Sequence, residues 1–153
     1  MQSTNSPDWV DYFFRTLPIL MVVLGWYLVN RQNNNRETRK EVRTALDKLT
    51  VSLVNLSNHS REFHTQKFSV KEQLSLLTEI QRVIDKTEFI ASFLDVDISN
   101  NCTDLRQSIT SKNFDKTEHT PLDDTDELLT NIDDCAYDIE SILEKAYVEE
   151  YRK

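Results

Sequence analysis

Apolar residues in this chain follow two kinds of pattern. Residues 17–29 are uncharged and apolar on every side, whereas three later stretches repeat apolar residues at helical spacing. In the first of these, Val42, Leu46, Leu49, Leu53, Leu56, Ser60 and Phe63 step alternately by four and three, which is a heptad seam. Such a seam serves either as the core stripe of a monomeric bundle or as the contact of a self-associating coiled coil. Val51 and Val54 widen it, which favours the bundle.

Ser69 followed by Glu72 forms a capping box that opens a second helix, from Val70 to about Leu94. Its apolar face holds Val70, Leu74, Leu77, Ile80, Val83, Ile84, Ile90, Ala91 and Leu94, widened by Leu76, Phe89 and Phe93. A face this wide predicts burial against two neighbours. Asp, Ser and Asn then interrupt the pattern over 95–102, and a short helix is expected over 103–111 with Leu105 and Ile109. Residues 112–122 are polar and end in Thr120-Pro121, a loop signal. Asp124 and Glu127 cap a last helix that runs to Tyr151. Its face is Leu128, Leu129, Ile132, Cys135, Ala136, Ile139, Ile142, Leu143, Ala146 and Tyr147.

The run over 17–29 is 13 residues long, about 20 Å of helix against a hydrocarbon core of roughly 30 Å. Starting it at Tyr12 supplies the missing length and brings in Arg15, whose long stem reaches back to the headgroups, and Pro18 near the helix start. Trp9, Tyr12, Phe13 and Phe14 then form one interfacial belt, and Trp26 and Tyr27 the other. Asp8 and Asp11 precede the run; Arg31, Arg36, Arg39, Lys40 and Arg43 follow it. Positive charge stays inside, so the N-terminus is expected outside and the remainder in the cytoplasm.

The expected architecture is all-α, a single N-terminal transmembrane helix followed by an antiparallel three- to four-helix bundle. The segments are an extracytoplasmic tail over 1–11, the membrane helix over 12–30, a polar juxtamembrane stretch over 31–35 and a cytoplasmic helical domain over 36–153. Asn34 with Glu37 is a weak cap at that last boundary.

Composition sharpens this picture. The one glycine, Gly25, lies in the apolar run, and only Pro121 of the three prolines lies beyond it. Hairpin turns that need positive φ lack their preferred residue, which argues against a β-rich fold. Charge is segregated: residues 31–66 carry seven Lys/Arg against four Asp/Glu, net +3, and residues 121–153 carry three against eleven, net −8. The basic cluster is confined beside the expected membrane helix, so nucleic acid is not an expected partner. Arg31, Arg36, Arg39, Lys40 and Arg43 are expected to contact anionic lipid headgroups.

Catalytic signatures are missing. His59 and His64 are five apart, off the i, i+4 spacing of helical metal ligands, and no paired CXXC or HEXXH occurs. The acidic run 123–127 resembles a calcium loop in composition alone, without its glycine or terminal glutamate. Phosphate loops and nucleophile elbows need glycine, which the cytoplasmic part lacks. Cys102 with His119, or Cys135 with His64, are the pairs folding could bring together. Both cysteines read as unpaired thiols.

The resulting expectation is a non-enzymatic protein without metal or cofactor. It is a membrane-anchored cytoplasmic interaction or regulatory module that tethers an unknown protein partner at the cell (inner) membrane. Asp133, Asp134 and Asp138 on the last helix are its expected partner face. The competing reading is a small toxin- or defence-like effector that oligomerises and perturbs the bilayer, motivated by Arg15 and Pro18 in the anchor. The seam also permits a homo-oligomer.

Overall fold

The computed structural model describes residues 9–151, with side chains described for 17–34 and 36–151. It contains four helices, α1 (Trp9–Thr65), α2 (Val70–Phe93), α3 (Ser99–Thr110) and α4 (Glu127–Tyr151), and no strand among the described residues. The chain is all-helical, as expected. It forms two compact units, one ending at Lys40 and the other running Glu41–Lys153.

In the second unit the α1 seam is the heart of the core. Val42, Leu46, Leu49, Leu53, Leu56 and Phe63 are all buried, and so is Ser60. That one polar seam residue satisfies its hydroxyl on the Leu56 carbonyl at 2.7 Å, so its burial leaves no orphan donor. Val51 and Val54 do not widen the stripe; they lie exposed on the opposite side of the helix. Cross-helix pairs give the direction of the neighbours. Lys86 reaches Ser52 while His59 bonds Glu79, and Arg43 meets Glu144 while Arg61 meets Asp133. Later residues of α2 and α4 thus pair with earlier residues of α1, which makes both helices antiparallel to it.

Helix α2 starts where its cap predicts. The Ser69 side chain accepts from the Glu72 N–H at 3.5 Å. The Glu72 carboxylate lies 3.4 Å from His59 of α1. Leu76, Ile80, Val83, Ile84, Ile90, Ala91 and Leu94 are buried, whereas Val70, Leu74, Leu77, Phe89 and Phe93 are exposed. Helix α2 thus meets α1, α3 and α4, but its buried face is narrower than its apolar composition.

Without glycine, the left-handed turns fall to Asp95 (φ 51°) and Asn113 (φ 55°), the residue types that best tolerate that region. Asp95 ends α2 in a Schellman motif: the Val96 N–H bonds back to the Ala91 carbonyl at 3.2 Å, and Val96 packs on the core. Helix α3 begins at Ser99, four residues earlier than expected. For α4 the cap is Asp126, whose side chain accepts from the Leu128 N–H at 2.9 Å. Asp124 does not cap it, and Asp123 closes a local turn on Thr125 instead. The expected α4 face is buried or half-buried throughout.

The expected transmembrane helix is not supported: among the described residues, no helix is long and apolar enough to cross a membrane. Length is the physical reason. The apolar run stops at Val29, and Asn30, Arg31 and four further polar residues, Gln32 to Asn35, follow it within the same helix. Pro18 lies inside the helix, not in the first turn where its missing N–H would cost least. Backbone over 30–35 is helical, so Asn34 starts no new helix and its carbonyl accepts from Thr38 Oγ1 at 3.0 Å. Residues 1–8 with Asp8, and the side chains of Trp9, Asp11, Tyr12, Phe13, Phe14 and Arg15, lie outside the described residues.

Candidate functional site

The five basic residues expected at lipid divide between the two units. Arg31, Arg36, Arg39 and Lys40 are exposed on the first. Arg43 belongs to the bundle. Its guanidinium donates to Glu144 at 2.8 Å, pairs with Asp47 at 2.9 Å, and sits 5.7 Å from the centre of the Tyr147 ring. The Glu144 bond, more than any other contact, holds its proton tighter than usual. Arg43 is thus committed to α4, which the sequence pattern did not reveal.

Helix α4 carries its acids in two stripes. Asp133, Glu140 and Glu144 border α1: Asp133 pairs with Arg61 at 2.7 Å, Glu140 accepts from Thr50 Oγ1 at 3.0 Å, and Glu144 holds Arg43. Asp134 and Asp138, one turn apart, are exposed on the other side together with Tyr137, which is 68% exposed. The expected partner face is therefore split. Asp133 is turned to α1, and Asp134 and Asp138 share a solvent face with an aromatic ring between them.

The site that sequence reasoning missed lies where the α3–α4 loop crosses the end of α1. His64 is fully buried, with Nε2 3.1 Å from the Ile109 carbonyl and Nδ1 3.4 Å from Asn113 Nδ2. Asn113 Oδ1 accepts from the Thr120 N–H at 2.6 Å, and the Leu122 N–H bonds the His64 carbonyl at 2.9 Å. The two ring nitrogens of His119 lie 2.9 Å from the Asn113 carbonyl and 2.8 Å from that of Gln66. The Phe63 ring packs against His64, Phe68, Phe114 and His119 at centroid distances of 5.1–6.2 Å. Burial, the dominant influence on His64, holds its pKa below the ordinary 6.5. Only one local signal pointed here: Asn113 is a residue suited to positive φ in a polar loop.

Neither Cys–His pair forms. Cys102 neighbours Glu88 and Arg106, and Cys135 bonds Ser108. Both thiols are unpaired. Burial pushes Cys102 up to about 11 and also raises Cys135, so neither is activated as a thiolate. His59 bonds Glu79 at 2.6 Å. Among the described residues, no group of three His, Cys, Asp or Glu could hold a metal ion. Comparison with family models, with characterised proteins and with solved structures finds no match to this chain.

Proposed function

We propose that this chain is a membrane-associated helical interaction module, in which residues 17–29 embed in lipid and the bundle receives a protein partner. The observation that carries this reading is the exposure of the apolar run: its large side chains from Leu17 to Val29 are 36–71% exposed. A contiguous apolar surface of this kind is unfavourable in water and marks a lipid or protein contact. Because the run is apolar all round, lipid, which covers every side, suits it better than a partner that covers one. Arg31, Arg36, Arg39 and Lys40 follow directly, and each cation near anionic lipid is worth about 1 kcal/mol. Those charges favour the cytoplasmic leaflet.

The partner surface we assign is the outer stripe of α4, Asp134, Tyr137 and Asp138. An exposed tyrosine between two carboxylates combines an aromatic anchor with charge that steers a basic surface toward it. Crosslinked capture from membranes by the full chain tests this. Asp134→Asn with Asp138→Asn is expected to lose the captured partner, while Asp133→Asn keeps it, because Asp133 is spent on Arg61. Equal capture by the double variant discards the face.

A further inference from the structure

The loop over 111–122 is fastened to the end of α1 by a network in which one ring nitrogen of His64 donates and the other accepts. The Nε2–H donates to the Ile109 carbonyl, so Nδ1 is the bare acceptor that receives the Asn113 amide. Asn113 is committed at both ends. Its Nδ2 also lies 3.4 Å from the His64 carbonyl, while its Oδ1 takes the Thr120 N–H. Turning the amide over to offer oxygen to the ring would set its NH2 against that N–H.

We propose that this arrangement is an acid-operated release, in which a second proton on the His64 ring breaks the Asn113 bridge and frees the 111–122 loop from α1. A proton on Nδ1 would face the Asn113 NH2, donor against donor, with the new charge fully buried. Few groups oppose or help it. From the loop come His119, which disfavours a second positive charge, and the Asn113 backbone, which favours it; from the approach to α4 comes Asp126, which also favours it. Helix α3 contributes the Ile109 carbonyl, and on α1 Arg61 is held by Asp133 and the Asp124 carbonyl. Burial is the largest influence and keeps the folded ring neutral. For a histidine with a lowered folded pKa, the stabilisation is intact above about 6.5 and is lost as pH falls through the folded value. The loop also walls a cavity of about 700 Å³ through Lys112, Asn113 and Leu122, with Asn131 and Asp134 of α4 opposite. Release would therefore reshape the surface beside Asp134.

His119 supplies the opposing possibility, since its two nitrogens face two carbonyls that a doubly protonated ring would both serve. Amide exchange of the full chain in mild detergent, corrected for intrinsic rates, separates the two. Between about pH 7.5 and about pH 5, exchange across 111–122 is expected to quicken about tenfold while the α1 seam amides hold. His64→Gln offers an N–H to Ile109 and an oxygen to Asn113 without titrating, and is expected to abolish the response. In the wild-type chain, the His64 ring signals and the loop amides are expected to titrate with one midpoint, which decides the matter even if the variant does not fold. Exchange that is flat with pH, that slows in acid, that still responds in folded His64→Gln, or that follows the His119 signals would overturn the proposal.

Discussion

Leu53→Ala is expected to lower the unfolding free energy by about 2–5 kcal/mol, while its neighbour Val54→Ala leaves it within about 0.5 kcal/mol. The two positions are adjacent in sequence and opposite in environment: Leu53 is 2% exposed and Val54 is 52% exposed. Truncating Leu53 removes buried methyl groups and leaves a cavity among Leu49, Leu56 and the facing helices, which close-packed surroundings fill only in part. Truncating Val54 loses little burial and replaces a β-branched residue by the best helix former, a gain of a few tenths of a kcal/mol. Thermal unfolding followed by circular dichroism should show a drop of roughly 8–20 °C for the first variant and almost none for the second. Equal effects would mean that the heptad seam is not the core of the bundle.

The second large effect is expected at the apolar run. Leu20→Arg combined with Leu24→Arg should release the full chain from anionic liposomes in a flotation assay. Each arginine placed in hydrocarbon costs about 2.5–3.5 kcal/mol, so the pair weakens attachment by roughly 5–7 kcal/mol, more than a thousandfold. Both positions are exposed and belong to the unit that ends at Lys40. The melting of the bundle over Glu41–Lys153 should therefore stay where it is, which separates lost attachment from lost folding. Flotation equal to wild type would remove the run as the lipid-binding element, and with it the proposed membrane association. Removing Arg31 and Arg36 instead should weaken binding by about 1 kcal/mol per charge, an effect that added salt suppresses.

Much of the bundle was legible from local chemistry. The Val42–Phe63 spacing, the Ser69 cap and the α4 face each rest on relations between residues three or four apart, which a helix turns into neighbours whatever lies beyond it. The lack of glycine beyond Gly25 argues against hairpins for the same kind of reason. The membrane helix is not supported among the described residues: the apolar run ends at Val29, and the added length a span needs rests on Tyr12 to Thr16, whose side chains lie outside them.

Composition along a helix states how many apolar residues it has, and not how many neighbours it will meet. Val51, Val54, Leu74, Phe89 and Phe93 look like core by type and are exposed because, among the described residues, no helix packs over them. Likewise Asp133 and Asp134 are adjacent carboxylates in sequence, and only the antiparallel register of α1 against α4 turns one toward Arg61 and leaves the other to solvent. The His64–Asn113–His119 network joins residues up to 55 positions apart through a loop without periodicity. Helix existence and polarity of charge thus follow from the order of residues alone. Which surface is spent inside the molecule, and which is offered outside it, is decided by long-range packing, because burial belongs to the pair of surfaces that meet.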